Sequence, residues 1–233
     1  MKKNKIVYYI LSFSLILLTF LSVIDFWCFD SNFYAYEANI NDTKEVIGCD
    51  DETLDIITDK VLGYLRDDYD SLDLIATING ENREVFDNKE KTHMVDVKNL
   101  YLNAMKVRNI MVIMFIISLI IFIGIKDVFK YEQLKKAFLL TILIIIGFVL
   151  ILGVWALIDF DNFWISFHKV FFTNDLFYLD PRYEVLIQLV PSQFFFDLVI
   201  RIIISFIILL GLYYLILYLL NKKVIKNDTY RTL

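Results

Sequence analysis

Proline is nearly missing from this chain of 233 residues: there are two, Pro181 and Pro191, and both lie between the last two of its long apolar runs. No such run is therefore interrupted by a residue that breaks a helix. Histidine is equally scarce, with only His93 and His168, and neither stands in an H-x-x-x-H or H-E-x-x-H spacing. A helical zinc-site signature is absent. The two cysteines, Cys28 and Cys49, leave two readings open, a disulfide in an oxidising compartment or two separate thiols. Positive charge is in deficit, at a net −5, and phosphate repulsion excludes a nucleic-acid role. Internal repeats and low-complexity stretches are also missing.

Apolar residues make up 58% of the chain, above the half expected of a soluble domain. The excess lies in four nearly charge-free runs, residues 6–24, 110–125, 137–158 and 198–220. About 20 apolar residues carry a helix across the ~30 Å hydrocarbon core. The first run begins with Lys2, Lys3 and Lys5, as a signal peptide does, but it is too long for one. The bulky Asp25-Phe26-Trp27-Cys28 that follows suits neither a peptidase nor a lipobox. It is read as a span.

Orientation follows from the placement of Lys and Arg. Lys2, Lys3 and Lys5 precede span one. Lys126, Lys130, Lys135 and Lys136 lie between spans two and three, and Lys222, Lys223, Lys226 and Arg231 follow span four. An even number of spans separates these segments, so they share a side, expected to be the cytoplasm. Lys106 and Arg108 oppose this and are outnumbered. The expected division is a cytoplasmic tail and first span (1–26), an extracytoplasmic α+β domain (27–105), span two (106–126), and a basic cytoplasmic loop (127–136). Span three (137–158), an extracytoplasmic aromatic loop (159–197), span four (198–220) and a cytoplasmic tail (221–233) follow. The fold class is an α-helical integral membrane protein of the cell membrane, with both termini cytoplasmic. It carries a small α+β outer domain and an aromatic interfacial loop or helix.

Within the first outer segment, Asp50-Asp51-Glu52 put carboxylates at a helix start, and Leu54, Ile57, Val61, Leu62 and Leu65 repeat at helical spacing. Leu72, Leu74 and Ala76 alternate with polar residues before an Asn79-Gly80 turn, and Arg83 to Phe86 returns, which predicts a hairpin. From His93 the pattern is helical again, with Met94, Val97, Tyr101 and Ala104 leading toward span two. In the second outer segment Trp164, His168 and Phe171/Phe172 share a helical face. Thr173-Asn174-Asp175 reads as a cap or turn. Pro191 and Ser192 suit the start of span four.

Histidine is the side chain best suited to proton transfer near neutral pH. His93 and His168 lie one in each outer loop, and each has acidic company: Asp96 three residues on from His93, Asp175 one loop away from His168. A carboxylate on one imidazole nitrogen would leave the other basic. The plainer alternative is that each histidine simply sits at the headgroup level. Two histidines with Asp96 or Asp175 also match zinc ligands by type, but their spacing does not support a metal, and none is expected. Asn174, Arg182 and Arg201 are candidate donors to an oxyanion or a headgroup. For Arg201 the plainer reading is an i−4 pair with Asp197. The aromatic load, Trp164 included, suits an interfacial helix that also admits acyl chains. The spans carry little polar character beyond Arg201, so no transport path is visible. A non-catalytic protein binding a partner through its acidic outer domain is the rival reading. It would allow the histidines to stand more than roughly 12 Å apart, too far to share a proton.

The string Lys91-Thr92-His93-Met94-Val95-Asp96-Val97-Lys98 resembles one motif of a bacterial four-span membrane protein family, that of the lipoprotein intramolecular transacylases of Gram-positive bacteria. Phe167-His168-Lys169-Val170-Phe171-Phe172-Thr173-Asn174-Asp175-Leu176, with Leu179-Asp180-Pro181 and Leu186-Ile187 up to Pro191, is similar to its second motif. The layout agrees over nearly the whole chain. Phe177 departs from an expected tryptophan, and Ser192-Gln193 from a common acidic residue. The resemblance implies transfer of the sn-2 acyl chain of a diacylglyceryl lipoprotein to the α-amino group of its N-terminal cysteine. It puts the family's two histidines on His93 and His168. Diacylglyceryl lipoproteins and membrane lipid are the expected partners, at the outer face, with no cofactor. On that reading His168 is the base or a transient acyl acceptor, His93 its partner, and Asp96 and Asp175 their orienting groups.

Overall fold

Among the described residues, four helices are long and apolar enough to cross a membrane: Lys5–Cys28, Asn88–Gly124, Lys130–Ile158 and Ser192–Val224. The structure, a computed structural model, describes residues 2–127 and 129–231, with side chains for 5–127 and 129–224. Met1, Val128, Thr232 and Leu233 lie outside the described residues. So do the side chains of Lys2, Lys3, Lys226 and Arg231, on which part of the expected orientation rests.

In chain order the elements are α1 (Lys2–Cys28), α2 (Ser31–Ile40), α3 (Thr43–Ile47), α4 (Asp51–Leu65), β1 (Ile75–Ile78) and β2 (Glu81–Glu84). They continue with α5 (Asn88–Gly124), α6 (Lys130–Ile158), α7 (Phe160–Phe171), α8 (Val185–Leu189) and α9 (Ser192–Arg231). Two compact units divide them. One takes the chain up to Asp25, Met105–Val154 and the chain from Arg201 on; the other takes Phe26–Ala104 and Trp155–Ile200.

The first unit is the span bundle. Tyr8 and Leu11 of α1 pack with Phe122, Leu134 and Ala137, and Ile16 packs with Phe138, Ile142, Phe206 and Leu210. The opposite helix faces carry exposed isoleucine and leucine, among them Ile113, Ile120, Ile144, Ile151, Ile208 and Leu212. So much apolar surface suits lipid, not water. Two hydroxyls bond back along their own helix: Ser12 donates to the Tyr8 carbonyl at 2.7 Å, and Thr19 to the Leu15 carbonyl at 2.8 Å. Lys130 turns its ammonium onto the carbonyls at the end of α5, Ile123 at 3.2 Å and, just past the helix, Ile125 at 3.0 Å, a cation at the negative helix end. Arg108, whose charge runs against the expected orientation, is paired with Asp25 at 2.5 Å.

The second unit has its own core. α4 starts as its carboxylates suggest, with Asp50 accepting from the Thr53 N–H at 2.8 Å. Its Leu54, Ile57, Val61 and Tyr64 are buried with Ile47, Leu72, Ile78, Val85, Phe86 and Met94. Val185, Leu186 and Leu189 of α8 complete that core, so the two long connections share one interior. The hairpin turns at Asn79 and Gly80, both at positive φ (53° and 79°), as the strand twist demands. Only Ile78 among the strand residues is buried, and the turn docks on α3 through the Asn79 N–H, 2.7 Å from the Gly48 carbonyl. Gly48 has φ +77°, and a Cβ there would stand 2.0 Å from the Asn79 carboxamide oxygen, so glycine is required.

Three elements depart from the sequence reading, which set no helix at α2, α3 or α8. α3 and α8 have 5 residues each, too short for an apolar period to show. α2 opens at an Asp30 cap but buries only Phe33 and Glu37. α5, at 37 residues, is about 55 Å long by its rise, well beyond a bilayer core, so its first turns belong to the second unit.

Candidate active site

α7 begins at Asp159, whose carboxylate accepts from the Asn162 N–H at 3.1 Å. Its aromatic side chains recur every three to four residues. Trp164 stacks on Phe167 at 5.1 Å and on Phe195 at 4.3 Å, which fixes the face that carries His168. His168 Nδ1 stands 2.7 Å from the Trp164 carbonyl oxygen. A carbonyl only accepts, so Nδ1 carries the proton and Nε2 is left with its lone pair. The sequence reading expected Asp175 to orient this ring. The acceptor is instead a backbone carbonyl one turn back. Asp175 is exposed, and its carboxylate has no hydrogen bond among the described residues.

His93 sits near the start of α5, 5% exposed. Its ring centroid is 5.9 Å from that of His168. Phe172 closes on both imidazoles, at 5.4 Å from His93 and 5.6 Å from His168. Phe177 stacks on His168 at 5.0 Å, and Trp164 meets it edge-on at 4.9 Å. These apolar walls disfavour the imidazolium form. His93 is pushed down to about 4, chiefly by burial, with the neighbouring His168 and Lys89 charges acting the same way and Asp96 opposing them. Burial also lowers His168, against the hydrogen bond to Trp164, which raises it. His93 Nδ1 is buried without a hydrogen-bond partner among the described residues.

The other sequence candidates divide. Asn174 donates to Asp96 at 2.8 Å, so these two meet beside the histidine pair. Arg182 is exposed and engaged locally, its Nε 3.0 and 3.2 Å from the two Asp180 carboxylate oxygens. That contact holds Asp180 down to about 2. Arg201 belongs to the other unit, on α9, and Asp197 accepts from Gln193 at 2.8 Å. Among the described residues no three His, Cys, Asp or Glu side chains are grouped to hold a metal ion.

Residues the sequence reading passed over hold the second connection in place. Glu90, 1% exposed, accepts from the Asp87 N–H with one oxygen and from the Leu186 N–H with the other, both at 2.7 Å. Asp87 returns a bond to the Glu90 N–H at 2.8 Å. Lys89 pairs with buried Glu184 at 2.9 Å and donates to the Tyr178 carbonyl at 2.6 Å. Asp87-x-x-Glu90 is a capping-box pattern and was the available signal, with Asp in the place of Ser or Thr.

An apolar helical bundle with an α+β unit that brings two imidazoles together defines a multi-pass membrane protein. The family model for the lipoprotein intramolecular transacylase Lit matches residues 9–195, most of the chain, and the chain belongs to that family, one of membrane acyltransferases. Its fold is similar to the in meso structure of the membrane-integral transacylase Lit from Bacillus cereus. The TM-score is 0.74 at 19% identity, over 98% of this chain and 99% of that one. A form of the same protein with one histidine replaced by arginine gives 0.72 at 19% identity, over 99% of this chain and 95% of that one. A histidine-to-alanine form gives 0.73 at 19%, over 98% and 96%. No curated protein matches the chain in sequence.

Proposed function

We propose that this chain is a lipoprotein intramolecular transacylase that works by histidine acid–base catalysis at the outer face of the cell membrane. Its substrate is a diacylglyceryl lipoprotein, and its product is an N-acylated lyso-form. The observation that carries the reading is the pair of imidazoles 5.9 Å apart, with His168 Nδ1 committed to a carbonyl.

The chemistry follows from that arrangement. The α-amino nitrogen of the lipidated cysteine attacks the sn-2 ester carbonyl. An α-amine, with a pKa of about 7.7–8.0, attacks in its neutral form, and a base takes the N–H proton that the nitrogen loses as the N–C bond forms. His168 Nε2 is that base, because its neutral form prevails near neutral pH and Trp164 steadies the imidazolium once formed. When the tetrahedral intermediate collapses, the C–O bond breaks and the glyceryl oxygen leaves with a proton. His93 relays it: with a pKa pushed down to about 4, a protonated His93 is a strong donor. The pair holds one proton at a time, since a charge on His168 disfavours a charge on His93. Donor and acceptor belong to one molecule, so a fixed headgroup geometry supplies much of the rate. Asn174 beside Asp96 is a donor within reach of the pair, and the aromatic face of α7 is the entry for acyl chains.

The outer-face placement rests on Lys126, Lys130, Lys135 and Lys136 between spans two and three, and on the offset of Arg108 by Asp25. The test is mass spectrometry of one lipoprotein's N-terminal peptide, in a host that makes only the diacylglyceryl form. With the wild-type gene the peptide keeps its mass and fragments as N-acyl, S-monoacylglyceryl cysteine. With His168→Ala it fragments as the unconverted form; conversion by that variant would overturn the mechanism.

A further inference from the structure

The distance between the two histidines is set by how the connection 159–191 is fastened to α5, because His93 lies on one and His168 on the other. Three fastenings recur on one face of α5, three residues apart. Glu90 receives the Leu186 N–H, His93 meets Phe172 and His168, and Asp96 receives Asn174. The middle one is the reacting pair. The lower one is half-exposed. The upper one is buried and has both of its oxygens committed.

That upper contact solves a local problem of α8. Its own N-cap residue, Glu184, makes no side-chain cap bond. Glu184 is turned instead to Lys89 and to the Asp180 N–H. The Leu186 N–H, in the first turn and buried, would then be an orphan donor, an unfavourable state for a buried backbone group. Glu90 supplies the missing acceptor from another part of the chain. The same carboxylate closes the capping box of α5, so a single side chain caps two helices. We propose that Glu90 is a positioning residue for acyl transfer: by capping α5 and α8 with separate oxygens it clasps the 159–191 connection to α5 and holds His168 over His93.

This rests on the histidine mechanism above, so the test separates the two. Full-length Glu90→Gln protein is assayed in lipid with a diacylglyceryl lipopeptide. Glutamine keeps one acceptor oxygen and turns an amide donor toward the second N–H, so one of the two caps is lost. The expected result is a kcat about 100-fold lower, the loss that a displacement of about 1 Å brings, with KM unchanged. Alongside it, the His168 imidazole signal, followed by NMR without turnover, titrates nearer to 6.5 than in the wild type as its apolar cage loosens. The groups that face the pair, Asp96, Lys89 and the Trp164 carbonyl, are untouched by the substitution. If Glu90→Gln does not accumulate, Glu90→Asp keeps the charge but is one methylene short of reaching both N–H groups, and the same two shifts are expected. A wild-type kcat and titration in a folded variant, or a lower kcat with an unmoved His168 titration, would overturn the proposal. Activity in His168→Ala would instead remove the mechanism, and the NMR titration would still judge the clasp.

Discussion

The Trp164 carbonyl and the rings of Phe172 and Phe177 give two identical side chains different properties. His168 has a hydrogen-bond acceptor that favours its charged form; His93 has none at Nδ1 and lies deeper. On the proposed mechanism, the lowered pKa values would place the acid limb of kcat below the ordinary histidine value of about 6.5. Activity measured at saturating substrate should fall with decreasing pH only below that value, as imidazolium replaces the base. Folding carries the same sign. The unfolded chain takes up a proton at His93 near pH 6.5, while the folded chain resists until about 4. Stability should decline by about 3 kcal/mol across that window as pH falls, and the His93→Gln variant should lose most of this slope in unfolding measurements. Phe177→Ala should admit water to one face of His168 and raise its titration midpoint toward 6.5, which NMR of the ring would register.

Elements depend on their ends and turns. The Asp50 carboxylate caps α4 by one hydrogen bond, and Asp50→Ala should lower the midpoint of thermal unfolding. Gly48→Ala should cost more than Gly80→Ala. Both sit at positive φ, and strain there is roughly 1–2 kcal/mol, but a Cβ at Gly80 meets open space while one at Gly48 strikes the Asn79 side chain. Thermal unfolding of the two variants in detergent checks the order. Equal midpoints would mean that the Asn79 contact carries little.

At the scale of the molecule, the order of spans and connections sets where chemistry can occur. On the proposed orientation, with both termini cytoplasmic, residues 27–105 and 159–197 would face outward. In a background where Cys28 and Cys49 are serine, Asp59→Cys on the exposed side of α4 should react with a membrane-impermeant maleimide in intact cells. Lys136→Cys, also exposed, should react only after lysis. The reverse pattern would put the site on the inner face and remove the match to lipidated cysteines.

The sequence by itself determined the four spans, the α4 stripe, the Asn79-Gly80 turn and the helices that bear His93 and His168. Each depends on apolar period, charge placement or a turn residue within a few positions, and such local rules leave a mark on residue type. Only the tertiary structure decided that His93 and His168 meet, that the Trp164 carbonyl orients the second ring, and that α8 completes the core around α4. It likewise decided that Glu90 reaches the Leu186 N–H. The physical reason is that the deciding partners at residues 164 and 186 are backbone groups. Every residue carries a carbonyl, and every residue but proline an N–H, so no side chain announces which one will be met; the packing of distant segments selects it.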